Sequence, residues 1–325
     1  MIAPYRSSTP PPRYNARMAL STPRPASRRP LECLVAGDVN MDLLVEGGLP
    51  LEPGKEKLAT DMYLTLGGSS GIAAHNMARL GLRTAFAGVI GNDSLGRAVE
   101  EWLRAAGVDL RALRRHPRRR TGITIWHGRG PDRAGLTYTG TIDLLSARDL
   151  PDSLLARARH LHVGAYFLQK RLHPGAPALF RRARALGLTT SLDCNFDPEE
   201  KWDSGIRRVL AHTDVFFPNE DEAARLTGCP TPQSAARALA ALCRVAVVKM
   251  GAEGAWVVSA GEEFHSPAVR TRVVDTTGAG DTFAAGFLLG FIRGATLRAC
   301  AQSGARAAAR SVTAIGGTTA FLPRR

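Results

Sequence analysis

Thr276-Thr277-Gly278-Ala279-Gly280-Asp281-Thr282-Phe283 joins small residues to a carboxylate, just ahead of an apolar run that reads as a helix over Thr282–Ile292. Small residues let the main chain come close to a ligand. A helix start aims unpaired N–H groups, and the positive end of the helix dipole, at whatever lies there. Asp281 falls in or near the first helical turn, where negative charge is favoured, and is expected to be ionised and able to take a proton. An anion cradle beside an ionised carboxylate suits phosphoryl transfer to a hydroxyl, which needs positioning and charge stabilisation more than a strong base. A lone Gly-x-Gly-Asp is more often a tight connection, so the rest of the chain has to decide.

Other polar groups gather at predicted strand ends. Gly37-Asp38-Val39-Asn40-Met41-Asp42 closes the first strand. Asn40 and Asp42 either meet the hydroxyls of a sugar or make an Asx turn. Gly67-Gly68-Ser69-Ser70-Gly71 opens a helix, either as an approach for a polar ligand or as a Ser-capped start. Gly91-Asn92-Asp93-Ser94-Leu95-Gly96 reads as a structural turn before a capped helix. Asp193-Cys194-Asn195-Phe196-Asp197 ends another strand, with Asp197 in a cap or a turn. Asn219-Glu220-Asp221-Glu222 reads as an acid-rich helix start. Lys249-Met250-Gly251-Ala252-Glu253-Gly254 follows a buried strand with a glycine-bounded turn.

The elements that must position these groups alternate. Strands are predicted over Leu34–Val39, Thr84–Val89, His160–Tyr166, Thr189–Asp193, Val215–Pro218, Val245–Lys249 and Ala255–Val258. Helices are predicted over Gly71–Leu80, Leu95–Ala106, Pro177–Leu186, Glu220–Leu226, Pro232–Leu242, Thr282–Ile292 and Leu297–Ser311. β-Branched runs between amphipathic helices argue for a parallel sheet covered on both faces. Ligands of such sheets bind beyond the carboxyl ends of the strands. Leu43–Leu66 and Thr121–Thr141 break the alternation and are turn-rich and strand-like.

Composition narrows the classes. The 325 residues suffice for a substantial core, and no apolar run approaches a membrane span. The net charge of +14 owes 12 positive charges to two clusters, Arg6 to Arg29 and Arg111 to Arg120. Neither cluster is interleaved with aromatics, so they read as a solvated tail and loop rather than a nucleic-acid site. Residues 1 to 30 are expected to form a disordered basic extension. Five scattered cysteines without a C-x-x-C pair fit a reducing compartment, with no disulfide framework or zinc site. A phosphate-binding P-loop, the protein-kinase His-Arg-Asp and Asp-Phe-Gly, and a Gly-x-Gly-x-x-Gly after the first strand are all missing.

Asp275-Thr276-Thr277-Gly278-Ala279-Gly280-Asp281-Thr282-Phe283 resembles the signature of the ribokinase-like (PfkB) carbohydrate kinase family, and the other motifs follow in the matching order. The resemblance implies an α/β fold, a mostly parallel sheet flanked by helices on both faces, with a small β-sheet lid from about 43–66 and 121–141 in a kinase domain over 31–325. It implies an ATP-dependent kinase for a small sugar or sugar acid, with Asp281 as base and Gly278, Ala279 and Gly280 as the anion hole. Asn40, Asp42, Gly67 and Gly68 then touch the sugar. Asn195, Lys249, Gly251 and Gly254 lie at the nucleotide, Asn219 and Glu222 organise Mg²⁺ through waters, and Asp275 and Thr277 belong to a monovalent-cation (K⁺) site with backbone around Ser311 to Gly316.

One departure bears on specificity. Ile72 stands where many members carry Asn, and Asn76, a helical turn further on, either compensates or faces solvent. A nucleoside kinase is the first alternative, with Trp126, Tyr138 and Tyr63 as the lid aromatics able to stack a base. A non-catalytic sugar-binding homologue is the second, and the intact Gly-Ala-Gly-Asp argues against it. Sugar and ATP are the expected partners, without nucleic acid or membrane, in a cytoplasmic protein that dimerises through its lid.

Overall fold

Strand β1 (Leu31–Ala36) shows how the core is divided. Leu34 and Ala36 enter one buried apolar cluster, while Cys33 and Val35 enter a second on the opposite face. Side chains of a strand alternate between faces, so a strand with buried apolar residues on both faces belongs inside a sheet covered on both sides. The computed structural model describes residues 29–48, 51–128 and 134–322 and shows that arrangement.

The main sheet adds β4 (Thr84–Gly91), β5 (Asp109–His116), β8 (Ala158–Val163), β9 (Thr189–Leu192), β10 (Val215–Phe216), β11 (Val245–Lys249), β12 (Ala255–Ser259) and β13 (Glu263–Ser266). Its order is β13-β12-β11-β10-β9-β8-β1-β4-β5. All neighbours are parallel except β11 with β12 and β12 with β13. The first core face is covered by α3 (Asp152–Leu155), α4 (Ala176–Ala185), α5 (Ile206–Leu210), α6 (Glu220–Thr227) and α7 (Pro232–Ala240). The second is covered by α1 (Ser69–Arg79), α2 (Ser94–Ala105), α8 (Ala279–Ile292) and α9 (Leu297–Ser311). Phe283 and Phe287 of α8 are buried there, and Phe287 meets Phe217 edge-on.

A separate four-stranded sheet has the order β3-β2-β6-β7, from β2 (Asn40–Glu46), β3 (Asp61–Gly67), β6 (Gly122–His127) and β7 (Ala134–Tyr138). It is built from the two segments that broke the alternation. Asp93 latches its return: the carboxylate caps α2 through Gly96 N and also accepts from Thr121 N and Thr121 Oγ1.

Two expectations need correction. The cluster from Arg111 was read as a solvated loop, but Arg111, Arg114 and Arg115 lie in β5 at the sheet edge. There Arg111 pairs with Asp109, Arg114 with Asp149 and Arg115 with Glu100. Charge on an edge strand discourages pairing with another chain, which explains a strand without an apolar alternation. Of the expected basic extension, residues 1–28 lie outside the described residues. Arg29 is anchored, its guanidinium donating to Ala158 O at 2.5 Å and Leu186 O at 2.6 Å.

Candidate active site

Helix α8 starts at Gly278, whose φ of 69° is left-handed, and no side chain caps it. A Cβ on Gly278 would lie 2.8 Å from Gly317 Cα and 3.0 Å from Ile72 Cγ2, so glycine is required on both counts. Ala279 N turns back to Thr276 O at 3.2 Å. That leaves the amides of Gly280 and Asp281 as the first-turn donors best placed for an incoming anion. Asp281 sits in this first turn.

The expectation that the helix dipole alone keeps Asp281 ionised is incomplete. Asp281 retains some exposed area as a residue, yet its carboxyl lies deep enough that burial dominates. Burial, then the charge of Asp193, push its pKa well above the carboxylate range, and Lys249 opposes them. Once ionised, a carboxylate with a raised pKa is a stronger proton acceptor than an ordinary surface Asp.

Lys249 is the cation at the centre. Its Nζ is 2.5 Å from Asp193 Oδ2, with side chains 14% and 5% exposed. A Cβ on Gly280 would lie 3.1 Å from the same Nζ, which puts the ammonium against the α8 start. Burial disfavours its charge, but Asp193, Glu222 and Asp281 together raise its pKa. Asp193 belongs to a stretch singled out in the sequence, yet nothing there assigned it a role. The signal that could have found it is the pairing of a strand-end acid with a strand-end lysine across β10.

Asn219 and Glu222 form a reciprocal cap at the start of α6: Glu222 N donates to Asn219 Oδ1 and Asn219 N donates to Glu222 Oε2, both at 2.8 Å. The buried Cys194 thiol donates to the same Oε2 at 3.4 Å. Burial, then Asp193, raise Glu222 to about 7. Among the described residues no group of three His, Cys, Asp or Glu is arranged to hold a metal directly. Asn195 is left-handed at φ 58° and donates its N–H to Asp193 Oδ1. Asp197 closes a turn, accepting from Glu199, Lys201 and Trp202 amides.

Gly67 and Gly68 make room for the protein's own polar groups. A Cβ on Gly67 would lie 2.2 Å from Asp42 Oδ1. One on Gly68 would lie 2.8 Å from Val39 Cα and 2.9 Å from Asn40 Oδ1. The N-terminus of α1 is satisfied by buried Asp38, which accepts from Ser69 N at 2.9 Å and Ser70 N at 2.8 Å. Asn40 Nδ2 donates to Asp42 Oδ1 and Thr124 Oγ1, and Thr124 is in turn 3.1 Å from Thr137 Oγ1.

Asn76 is buried and faces neither solvent nor a cleft. Its Nδ2 donates to Thr282 Oγ1 and Gly317 O, tying α1 to α8. Asp275 accepts from Thr277 N, Thr277 Oγ1 and Gly316 N, so the turn around residue 316 does close on residues 275 and 277. Gly251 (φ 52°) and Gly254 (φ 94°) bound the turn after β11, where a Cβ on Gly254 would strike Ser266 O at 2.1 Å. Beyond Gly254 lies a cavity of about 240 Å³ lined by Phe264, Val269, Arg298, Gln302 and Arg306 among others, which sequence patterns did not reveal.

These features define a two-part α/β fold, a large mostly parallel sheet flanked by helices with a small separate sheet, in which Asp193 and Lys249 meet beside the α8 start. The model of the pfkB family carbohydrate kinases matches residues 31–325, and the chain belongs to that family. An aminoimidazole riboside kinase of Salmonella typhimurium is 31% identical over 306 residues, covering 88% of this chain and 91% of the relative. A 2-dehydro-3-deoxygluconokinase of Bacillus subtilis is 30% identical over 267 residues, covering 77% and 82%. The crystal structure of aminoimidazole riboside kinase from Salmonella enterica, complexed with aminoimidazole riboside and an ATP analog, matches with a TM-score of 0.74 at 28% identity, over 89% of this chain and 96% of that one. The chain is therefore a phosphotransferase with an alcohol acceptor, a sugar or nucleoside kinase of the ribokinase-like fold. No helix of the described residues is long and apolar enough to cross a membrane.

Proposed function

We propose that the chain transfers the γ-phosphoryl group of ATP to a hydroxyl of a small sugar or sugar derivative. The observation that carries this is the α8 start: an uncapped helix end with Asp281 in its first turn and Lys249 against Gly280. In a single in-line step the acceptor oxygen bonds to the γ-phosphorus as the bond to the β-phosphate oxygen breaks, and ADP leaves. Asp281 takes the acceptor's proton. The amides of Gly280 and Asp281, with Lys249, stabilise the charge on the moving group, a contribution of about 3–4 kcal/mol per well-placed donor elsewhere. Asn40 and Asp42 hold the sugar beside Gly67 and Gly68. Asn195, Gly251 and Gly254 frame the nucleotide, and the cavity beyond Gly254 suits its base. Mg²⁺ fits one carboxylate and one amide acting through waters: Glu222 with Asn219 would hold it, and it would neutralise phosphate charge. A monovalent cation such as K⁺ would draw on the charge of Asp275 near Thr277 and Gly316.

The test is Asp281→Asn. It keeps the shape of the helix start but removes the proton acceptor. Nucleotide binding by calorimetry stays within about threefold of wild type, while kcat falls by about 10²–10⁴-fold, the usual worth of a general base. Undiminished turnover would remove Asp281 from this role.

The relatives' names include both a riboside and a sugar acid as acceptors, so both classes stand at this stage. Use of ATP and five free thiols support a cytoplasmic setting. One face of the lid supports a homodimer. Leu64, Leu43, Ile125 and Leu136 form a row across all four strands, with Met62, Leu64, Leu136 and Tyr138 well exposed. Sedimentation velocity should give a dimer that Leu136→Lys converts to monomer; a monomeric wild type at micromolar concentration would discard it.

A further inference from the structure

Asn76 lies within α1 at 0% exposure, and both hydrogens of its amide are used. Its Nδ2 donates to Thr282 Oγ1 at 2.8 Å and to Gly317 O at 2.9 Å. Its Oδ1 is 2.8 Å from His75 Nδ1. A carbonyl oxygen only accepts, so Gly317 O fixes which end of the amide is Nδ2. Oδ1 then accepts from His75, whose proton sits on Nδ1. Burial pushes the His75 pKa down to about 4, so the ring is neutral at neutral pH.

The groups tied by this amide frame the α8 start. Thr282 follows Asp281 directly. Its hydroxyl accepts from Asn76 and donates to Gly278 O at 2.7 Å, beside the helical bond from Thr282 N at 2.9 Å. Gly278 O and the amide of Ala279 share one planar peptide unit, so a fixed carbonyl fixes the plane from which α8 runs on to the Gly280 and Asp281 amides. Gly317 is wedged alongside. A Cβ on Gly278 would lie 2.8 Å from Gly317 Cα, and one on Gly317 would lie 2.7 Å from Ile72 Cδ1. Ile72 and Asn76 are a helical turn apart on one face of α1. Next to Gly317, Gly316 N donates to Asp275 Oδ2 at 2.8 Å.

The surroundings are apolar: Ala73 and Met77 of α1, with Phe283 and Phe287 of α8, belong to the same core cluster. A buried amide among them is costly unless satisfied. Apolar burial is non-directional, whereas hydrogen bonds fix angle and distance. What Asn76 adds to this contact is therefore direction, delivered to Gly278 O through the Thr282 hydroxyl.

Resting on the kinase reading above, we infer that Asn76 is a positioning residue for phosphoryl transfer. Fully enclosed, it touches neither substrate. Acting through Thr282 and Gly278 O, it aims the Gly280 and Asp281 amides at the moving group and holds the Asp281 carboxyl at the acceptor proton.

The experiment measures kcat and KM by ADP release, with the best acceptor among ribose, fructose, adenosine, inosine and 2-keto-3-deoxygluconate. Thr282→Val keeps the side-chain shape and removes the relay hydroxyl. It lowers kcat by about 10–100-fold, with KM for ATP and for the acceptor within about threefold of wild type. Thr282→Ser keeps a hydroxyl and holds kcat within about threefold of wild type. Asn76→Ala loses kcat by a similar factor, and combining it with Thr282→Val is no worse than the poorer single variant, because both act along one path. If Asn76→Ala does not fold, the Thr282 pair decides. Arg79→Ala is the control. Arg79 Nε donates to Phe321 O at 2.8 Å, which also ties α1 to the C-terminal segment, but at the far end of α1. This variant lowers the denaturation midpoint and leaves kcat within about threefold. An undiminished kcat in Thr282→Val, a Thr282→Ser as poor as Thr282→Val, or an Arg79→Ala as poor as either overturns this inference and leaves the kinase reading standing. No ADP release by wild type with any of the five acceptors overturns both.

Discussion

Helices α1 and α8 begin alike, with glycine pairs and small residues after a strand or turn, yet their ends are used oppositely. The α1 end is filled by the protein: Asp38 accepts from Ser69 and Ser70 amides, and Gly67 and Gly68 exist to let Asp42, Asn40 and the β1–β2 backbone approach. The α8 end has no side-chain cap, and its neighbour is an ammonium rather than a carboxylate. A helix start attracts an anion in either case. What differs is whether the anion is built in or must arrive. On the proposed function, sugar hydroxyls belong to the α1 side and the migrating phosphoryl group to the α8 side.

The largest way to break this contrast is to replace one glycine at each end. Gly68→Ala puts a Cβ against Val39 Cα at a left-handed φ of 82°, so backbone must move. It should cost about 1–3 kcal/mol of stability, read as a lowered denaturation midpoint. Gly280→Ala meets only the far end of a lysine, at 3.1 Å. It should leave the midpoint nearly unchanged but displace Lys249 and reduce kcat by about 10–100-fold, as small misplacements do. Equal effects of the two on stability would erase the distinction between a filled and an open helix end.

A smaller effect sharpens it. Asp193 raises the pKa of Asp281, because a like charge disfavours ionisation, and Lys249 lowers it. Asp193→Asn removes the first influence and frees Lys249 to face Asp281, and both changes favour the carboxylate. The acidic limb of the pH profile of kcat/KM should therefore move to lower pH; movement to higher pH would contradict the arrangement. Stability carries the matching sign. Carboxyls whose folded pKa is raised, Asp281 and Glu222 (to about 7), favour the folded state when protonated and lose that contribution as pH rises through the folded pKa.

Local order was largely legible from the chain. Helix α9 and strand β11 have the expected limits, because a long amphipathic period and a continuous β-branched run leave little choice. Strand β5 was not legible, since an arginine-rich edge strand lacks the apolar alternation that marks a strand. Asn76 could not be placed because a helical period shows which residues share a face, not what that face meets.

The sequence by itself determined the start of α8: Gly278, Ala279, Gly280 and Asp281 are consecutive, and a helix start is a local structure. It also determined two lid segments, each too irregular for the parallel sheet. Tertiary structure alone decided the company Asp281 keeps. Asp193 and Lys249 are 56 positions apart in the chain and meet because β9 and β11 flank β10. It also decided which lid aromatics share a face, since strand register, a property of pairing between distant segments, sends Trp126 and Tyr138 to opposite faces. Burial and pairing of charge depend on what lies within a few ångströms, and that distance is unrelated to separation along the chain.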